Sequence, residues 1–455
     1  MSSQDSNAEP AFNTTTVYYV TGVAALGGLL FGYDTAVISG AIGFLQTKFE
    51  LDAVMKGWAA SSAIIGCIFG AMLAGWTSDK FGRKKILILT AVLFGISAIG
   101  SAIPMTLTQF VIARFIGGLG VGAASMLSPL YITELAPASI RGRLVSLYQL
   151  AIVLGILLIF FVNLLVQGLG DETWNVEMGW RYMLGSETIP AILFFAAMFF
   201  VPESPRWLVK EGREDEALGI LSTINGPEKA KTILNDVQEA LLEEKGTLKE
   251  LFSGRFKKAI LVGIILAVFS QFQGINAIMY YAPEIFKEVG AGTNSAFLQT
   301  VIIGVINAIF TFVAIGFVDK VGRRTLLLGG GAGMAVSLFM VGSCFQFEWP
   351  GVLLLIFILT YTASFSASFG PVTWVVMSEI FPLKMRGIAM SVATFALWVA
   401  VYIVTLLFPW LLKEFGAANT FYTFFSMSVL AFIFVLMSVP ETKGKTLEEI
   451  ERHWH

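Results

Sequence analysis

A charged block between two long apolar runs occurs twice and divides the chain into two similar halves. The block spans 79–85 (DKFGRKK) and recurs 240 residues later as 319–324 (DKVGRR). Two further segments repeat in the same order, 134–142 (ELAPASIRG) as 379–387 (EIFPLKMRG) and, more loosely, 202–206 (PESPR) as 440–443 (PETK). Three ordered repeats at offsets of 240, 245 and 238 residues indicate that one half of the chain duplicates the other.

The chain is too apolar to cover itself with a water-facing surface. Of its 455 residues, 56% are hydrophobic and 14% are charged, whereas soluble domains carry about 25% charged residues. The chain is therefore predicted to lie in a lipid bilayer. Its formal net charge is -2 and it contains no basic run that suggests a nucleic-acid partner.

Apolar runs long enough to cross a bilayer, about 20 residues each, predict an all-α membrane protein with about twelve transmembrane helices in two bundles. The predicted spans are 17–45, 56–76, 85–104, 107–131, 143–167, 181–201, 256–287, 296–318, 325–346, 351–379, 388–412 and 418–439. The corresponding domains are an N-terminal tail (1–16), a six-helix bundle (17–202), a polar insert (203–255), a second six-helix bundle (256–439) and a C-terminal tail (440–455).

The insert at 203–255 is the one substantial polar segment between predicted spans. Apolar residues recur in it at helical spacing, for example Leu218 with Leu221 and Ile233 with Val237. This pattern predicts short amphipathic helices that lie against the membrane-embedded part. A solvated linker is the alternative.

The distribution of lysine and arginine predicts the orientation. These residues crowd the insert and the loops at 80–85, 141–143, 320–324 and 384–386, whereas the segment 170–179 is acidic. Because basic loops stay on the cytoplasmic side, both termini and the insert are expected in the cytoplasm. We expect a multi-pass protein of the cell membrane that has no cleavable signal peptide.

Cofactor, metal and enzyme chemistry find little support in the sequence. Cys67 and Cys344 fall in or next to apolar stretches without disulfide or metal spacing, and His453 and His455 are too close to the end for a proton relay in the membrane. The chain has no phosphate-binding loop and no nucleophile–histidine pair. We therefore expect no metal and no cofactor, and no ATP-driven pump or membrane enzyme.

Two ionisable residues stand out inside predicted spans. Asp34 lies in the first span and Arg114 in the fourth, although a charge at that depth costs about 2.5–3.5 kcal/mol on insertion scales. Opposite charges in the same half favour pairing, which offsets part of each cost. The functional interpretation is a protonation switch, because a protonated aspartate releases its arginine. A structural salt bridge, or a position at the wet end of a span, is the alternative.

The seventh span is more polar than packing requires. It contains Gln271, Asn276 and Tyr280, whose amide and phenol groups suit a polyhydroxylated ligand. A regular helix would place Gln271 about 140° from Asn276, so Gly274 is expected to unwind the helix locally. Further candidates on four other helices are Gln149, Asn307, Trp374 and Trp398. Each taken alone is more typical of packing, and together they predict a binding site.

Charged residues at the predicted cytoplasmic helix ends suggest a gate. Ion pairs among them would latch the cytoplasmic ends together in an outward-open state, although solvated topology determinants are the alternative. The residues are Arg83, Glu134, Arg141, Glu203 and Arg206 in the first half, and Arg323, Glu379, Arg386 and Glu441 in the second.

Taken together, the sequence resembles the sugar porter family of the major facilitator superfamily, and within it the bacterial proton–sugar symporters of the xylose and arabinose type. The segments that carry the resemblance are 31–40 (FGYDTAVISG), 79–84, 114–118 (RFIGG), 202–206, 274–276 (GIN), 319–324 and 440–444 (PETKG).

The resemblance implies a role for each candidate. Asp34 with Arg114 would couple transport to protons, Tyr280 would belong to the extracellular gate, and Trp398 would line the cavity. The implied sugar contacts are Gln149, Gln271, Asn276, Asn307 and Trp374. Two departures affect substrate identity: the chain has Ser270 where relatives often have glutamine, and Leu397 where many have an amide.

The leading hypothesis is a transporter that imports a monosaccharide, a pentose or a hexose, by proton symport through alternating access. The proton gradient would drive it, and it is expected to work as a monomer in the lipid bilayer. A passive uniporter is the alternative within transport, against which Asp34 argues. A membrane sugar sensor is the alternative from another class, disfavoured because about fifteen residues follow Pro440.

Overall fold

The structure is a computed structural model that describes residues 12–137, 139–242, 257–381, 385–445 and 449–450. Within these residues it consists of helices and connecting turns, with no β-strand. The prediction of an all-α chain is therefore confirmed for the described part.

The first half contains five long helices and one broken crossing. The helices are α1 (Thr14–Lys48), α2 (Ala53–Phe81), α3 (Arg83–Ala102), α4 (Leu107–Leu135) and α5 (Arg141–Gln167). The crossing that follows consists of α6 (Glu172–Trp174), a π-helical turn (Asn175–Gly179), α7 (Trp180–Gly185) and α8 (Thr188–Met198). The sequence predicted one continuous helix over 181–201. Pro190 accounts for the break, because it lacks the N–H group that would bond to the carbonyl of Ser186.

The insert forms three short helices, α9 (Pro205–Lys210), α10 (Glu214–Asn225) and α11 (Pro227–Leu242). Trp207, Leu208 and Ala217 form a small apolar cluster between them. The indole Nε1 of Trp207 also donates a 3.1 Å hydrogen bond to the carbonyl of Asp79, which ties the insert to α2. The predicted amphipathic helices are thus present up to Leu242, and the rest of the insert, 243–255, lies outside the described residues.

The second half repeats the pattern with more breaks. Its helices are α12 (Lys257–Phe272), α13 (Ile275–Lys287), α14 (Thr293–Val321), α15 (Arg323–Gln346), α16 (Gly351–Ser366), α17 (Phe369–Ile380) and α18 (Arg386–Ser438). The pairs α12–α13 and α16–α17 each form one crossing. At 53 residues, α18 would reach about 80 Å if it were straight. Gly416 (φ 76°) breaks it, so α18 supplies two crossings.

The described residues form ten helical segments that are long and apolar enough to span a membrane. The second crossing of α18 and the broken crossing of α7 and α8 bring the total to twelve. Side chains on the outside of these helices are apolar and exposed, such as Phe312 (67%), Ile189 (68%) and Leu193 (58%). Such a surface requires lipid around it.

Helix packing separates the two halves. In the first half α1 packs on α5, and α2 and α3 pack on α4; in the second half α15 and α12 pack on α18. Between the halves, α2 contacts α18, α5 contacts α14 and α1 contacts α13. We call the membrane side that carries α9–α11 the insert side, and the other the opposite side.

Candidate functional site

A cavity of about 530 Å³ lies between the two halves. Helices α1, α4 and α5 supply its wall in the first half, and α12, α13, α14, α16, α17 and α18 supply it in the second. All seven residues proposed for sugar binding line it: Gln149, Gln271, Asn276, Tyr280, Asn307, Trp374 and Trp398. The structure therefore brings the predicted set together, and the role of each residue stays a prediction.

The break between α12 and α13 shapes the polar part of the wall. Gly274 has φ 92° in the left-handed region, which glycine adopts without steric cost. The turn brings Asn276 Nδ2 to 2.6 Å from Gln271 Oε1, although a regular helix would aim the two amides apart. Gln271 Nε2 donates in turn to Ser270 Oγ at 2.9 Å. The local unwinding expected at Gly274 is confirmed, and it joins both amides into one hydrogen-bonding surface.

Hydroxyl groups add to this surface. Ser366 Oγ donates to Asn307 Oδ1 at 2.7 Å, which links α16 to α14 and orients the amide of Asn307. Tyr148, Thr311 and Thr394 also line the cavity. Sequence reasoning missed the serine and threonine residues, because these residue types in a span commonly bond to a carbonyl of their own helix and give no separate signal.

Aromatic rings close the cavity from both halves. Phe31 of α1 and Trp398 of α18 lie 5.8 Å apart between ring centroids, tilted by 40°. Trp398 is 4% exposed, whereas Trp374 is 36% exposed and offers an indole surface to the cavity. Leu397 also lines the wall, so the sequence departure at this position places an alkyl group where an amide would donate and accept hydrogen bonds.

Asp34 and Arg114 form a buried ion pair beside the cavity. Their side chains are 0% and 2% exposed, and Arg114 Nη1 contacts Asp34 Oδ1. Arg114 Nη2 donates a second hydrogen bond, of 2.8 Å, to the backbone carbonyl of Asp34. The next residue, Thr35, lines the cavity, so the pair lies directly behind the cavity wall.

Glu187 is a third charged residue at this pair, and sequence reasoning missed it. It is 1% exposed, lies at the break between α7 and α8, and interacts electrostatically with Asp34 and Arg114. Neither Glu187 Oε1 nor Asp34 Oδ2 has a hydrogen-bond partner. The three residues supply two carboxylates and one guanidinium, so this buried group carries a net negative charge unless a proton binds. The signal was an ionisable residue inside the predicted span 181–201.

A charged cluster holds together the insert-side helix ends of the first half. Arg83 pairs with Glu134 through Nε and Nη2 at 3.1 and 3.2 Å and with Asp79 at 2.9 Å. Glu203 Oε1 accepts the backbone N–H groups of Arg83 and Lys84, each at 3.0 Å. The cluster therefore fixes α2, α3 and α4 to the start of the insert.

The second half contains the same cluster. Arg323 pairs with Glu379 at 2.9 and 3.2 Å, and Glu441 accepts the backbone N–H groups of Arg323 and Arg324 at 3.0 and 3.1 Å. Partial burial acts to raise the pKa of Glu441, but the backbone N–H donors of residues 443 and 323–325 together outweigh it and hold this pKa below its ordinary value. The repeat seen in the sequence is thus a repeat of one ion-pair network.

The remaining gate candidates are placed differently. Arg141 and Arg206 are exposed, and neither has an ion-pair partner in the described part of the chain. Arg386 is half-buried near Glu379, and its Nε and Nη2 atoms have no hydrogen-bond partner. The ion pairs Arg83–Glu134 and Arg323–Glu379 lie inside each half and do not bridge the two.

The opposite side is closed by contacts between the halves. Lys56 of α2 pairs with Glu284 of α13 at 2.7 Å, and the rings of Phe44 and Phe297 stack with centroids 6.1 Å apart. A Cβ atom added to Gly57 would overlap the backbone of Leu406, so α2 and α18 touch along their backbones there. On the insert side the cavity lining extends as far as Val145 and Ser378.

The chain is similar over nearly its whole length to known sugar transporters. The model of the family described as "Sugar (and other) transporter" matches residues 20–454. The arabinose-proton symporter of Bacillus subtilis (strain 168) is 48% identical over 440 residues, which cover 96% of this chain and 95% of that protein. The D-xylose-proton symporter of Escherichia coli (strain K12) is 45% identical over 475 residues, which cover 97% and 96%.

Solved structures agree with these relatives. The inward-open structure of the xylose transporter of E. coli superimposes with a TM-score of 0.87 at 44% identity, covering 96% of this chain and all of that chain. The structure of the major facilitator superfamily proton:xylose symporter bound to 6-bromo-6-deoxy-D-glucose gives a TM-score of 0.83 at 45% identity, covering 97% and 100%. The predicted major facilitator architecture is thereby confirmed.

Proposed function

The chain belongs to the sugar (and other) transporter family, and from that premise we propose that it imports a monosaccharide together with a proton by alternating access. Its relatives include proton symporters of arabinose and of D-xylose. The one observation that carries the proposal is the buried ion pair Asp34–Arg114 directly behind a cavity lined by amides, hydroxyls and indoles.

Sugar recognition uses the cavity wall. Gln271 and Asn276 already share a hydrogen bond, and each amide keeps one further N–H donor, while Asn276 Oδ1 remains an acceptor for the hydroxyl groups of a sugar. Asn307 is oriented by Ser366 in the same way. The indoles of Trp374 and Trp398 accommodate the C–H faces of the ring. Gln149 and Tyr280 complete the site from α5 and α13, and Tyr280 lies on the extracellular side of the sugar.

Proton coupling resides in the group of Asp34, Arg114 and Glu187. A proton that enters from outside neutralises Asp34, which weakens its bond to Arg114 and lets the helices α1 and α4 rearrange. The loaded protein then turns inward. In the more alkaline cytoplasm Asp34 loses the proton and binds Arg114 again. The proton gradient is the driving force, and no cofactor takes part.

We place the insert and both termini in the cytoplasm, because lysine and arginine residues crowd the insert side. The contacts between the halves then close the extracellular side, and the cavity lining extends toward the cytoplasm, as expected for an inward-facing conformation. Cysteines introduced at Thr223 of the insert and at Thr173 of the opposite side test this. Labelling of the Thr223 position from outside intact cells would overturn the orientation.

The charged cluster of each half fixes the cytoplasmic ends of its helices relative to one another. Arg83 and Glu134, with Glu203, hold the first half, and Arg323 and Glu379, with Glu441, hold the second. Arg141, Arg206 and Arg386 remain available to pair across the cleft when the cytoplasmic ends approach each other in the outward-open state. The protein works as a monomer, because each chain contains a complete cavity and a complete pair of halves.

Uptake of labelled L-arabinose, D-xylose and D-glucose into vesicles, with and without an inward proton gradient, tests the function. We expect accumulation of at least one of these sugars only with the gradient, abolished by a protonophore. Equilibration of a sugar without any effect of the gradient would show a uniporter instead. Binding without transport would favour a sugar sensor.

A further inference from the structure

Lys56 and Glu284 form an ion pair that bridges the two halves. Lys56 Nζ lies 2.7 Å from Glu284 Oε2, and the two side chains are only 11% and 19% exposed. Lys56 belongs to the first turn of α2, in the first half, and Glu284 to the last turn of α13, in the second. In the orientation proposed above, the pair lies at the extracellular mouth of the cavity.

Neither charge stabilises its own helix. A helix N-terminus favours negative charge and a C-terminus favours positive charge, yet Lys56 is a cation in a first turn and Glu284 is an anion in a last turn. Both charges are also largely withdrawn from water, which costs free energy unless an opposite charge is close. Each is therefore compensated mainly by its partner in the other half.

The surroundings are shaped to fit this contact. A Cβ atom on Gly43 of α1 would lie 3.0 Å from Glu284 Cδ and closer still to the carboxylate oxygen, so the glycine leaves room for the Glu284 side chain. Lys287, one turn further along α13, reaches Glu284 Oε1 at 3.7 Å and lies over the ring of Phe44 with Nζ 5.4 Å from its centroid.

Among the described residues, an ion pair at this mouth that does not involve Glu284 stays within one half. Lys48 of α1 contacts Glu177 of the π-helical turn, and the two side chains are 29% and 55% exposed. A rocking motion of one half against the other would leave the Lys48–Glu177 contact intact and would break Lys56–Glu284. The two pairs thus form a matched set for an experiment.

We propose that Lys56 and Glu284 are positioning residues that latch the extracellular side in the inward-open state, and that their separation is a required step of the return to the outward-open state. The proposal rests on the alternating access proposed above, but it concerns the balance between two conformations and needs no sugar. Hydrogen bonds between charged groups are among the stronger ones in proteins, so the loss of this one should raise the ratio of outward-open to inward-open protein by about tenfold or more.

Distances between spin labels measure this ratio directly. In a Cys67→Ala, Cys344→Ala background, one label pair replaces the exposed residues Met105 and Phe347 on the extracellular side. A second pair replaces Phe81 and Val321, exposed on the cytoplasmic side. The purified protein is measured in nanodiscs without sugar. Lys56→Met and Glu284→Gln should lengthen the first distance and shorten the second.

The controls separate a latch from a merely stabilising contact. Lys56→Arg keeps the pair and should retain the parent distances, and Lys48→Met should leave both distances unchanged. Gly43→Ala crowds the Glu284 carboxylate and should shift the distances in the same direction as Lys56→Met. A contact that only stabilised the fold would lower the unfolding temperature in Lys56→Met and leave the distance distributions as they were.

The outcomes distinguish this proposal from the proposed function. Unchanged distances in folded Lys56→Met and in the isosteric Glu284→Gln would overturn the latch, whether or not the parent protein transports sugar. If Lys56→Met does not fold, Glu284→Gln and Gly43→Ala decide the question. If the variants shift the distances but the parent protein shows no proton-driven uptake, the latch proposal stands and the proposal of proton symport is wrong.

Discussion

Arg114 binds both the side chain and the backbone of Asp34. Its Nη1 contacts the carboxylate, and its Nη2 donates a 2.8 Å hydrogen bond to the carbonyl oxygen of the same residue. Protonation of Asp34 removes the charge attraction from the first interaction and leaves the second unchanged. Arg114 therefore keeps a hydrogen bond to α1 in both protonation states of Asp34. Protonation changes only how strongly Arg114 is bound to α1.

Asp34→Asn is expected to uncouple transport. The amide resembles the protonated carboxyl and cannot release a proton, so the variant should still bind sugar and exchange it across the membrane. It should not accumulate sugar against a gradient, and sugar addition should no longer alkalinise the medium of lightly buffered cells. Uphill uptake that survives in this variant would exclude Asp34 as the coupling residue.

Glu187→Gln should shift the pH dependence of uphill uptake. The carboxylate of Glu187 repels that of Asp34 and so favours proton binding at this group; the neutral amide removes the repulsion. We expect the pH of half-maximal uptake to move toward acid, with sugar affinity at saturating proton concentration unchanged. An identical pH profile in parent and variant would place Glu187 outside the coupling group.

Much of this arrangement follows from the sequence, and some of it does not. The repeat of 79–85 as 319–324 correctly indicated two similar halves, and Arg83–Glu134 and Arg323–Glu379 prove to be equivalent pairs. Gly274 correctly indicated a helix break, because only glycine adopts its conformation readily. These inferences depend on local chemistry or on internal comparison, both of which a single sequence contains.

Contacts between distant helices are the part that a single sequence does not contain. Lys56 and Glu284 are 228 residues apart, and the sequence around either residue does not indicate that the other is its ion-pair partner. Glu187 was missed for a different reason: the apolar run around it predicted one continuous helix, and nothing in that run indicates an interaction with Asp34. For Asp34 and Arg114, burial excludes the alternative of a position at the wet end of a span, because both residues are buried.

Gln271→Ala should weaken sugar binding more than folding. The substitution leaves a sugar hydroxyl and the amide of Asn276 without their partner in a largely enclosed cavity. A loss of about 1–3 kcal/mol, or about 5- to 150-fold in affinity, is expected by calorimetry with the purified protein. Gln299→Ala, on α14 outside the cavity, is the matched control. Affinity within about twofold of the parent would remove Gln271 from the site.

Leu397→Gln tests the departure in the cavity wall. The leucine side chain lines the cavity and offers no hydrogen bond, so a glutamine there would favour a sugar with a hydroxyl group within its reach. We expect a changed ranking of arabinose, xylose and glucose in competition assays, with the total uptake capacity retained. An unchanged ranking would mean that the side chain at this position does not contact the ligand.

Glu441 should make the second-half cluster sensitive to acid. Burial acts to raise its pKa, but the backbone N–H groups of residues 443 and 323–325 together outweigh that effect and hold the pKa below the ordinary value. A group with a depressed pKa in the folded state stabilises the protein above the unfolded pKa, about 4.3 for glutamate, and this contribution is lost as the pH falls through the folded value. Between pH 7 and pH 5 the contribution of Glu441 to the unfolding temperature of the parent should therefore be present in full and constant, and below about pH 4.3 it should fall. Glu441→Gln should be less stable than the parent at pH 7 and should lose part of this acid dependence, whereas Glu414→Gln, at an exposed position on α18, should behave like the parent. Parallel curves for the parent and Glu441→Gln over pH 3.5–7 would show that the backbone N–H groups do not depend on the charge of this carboxylate.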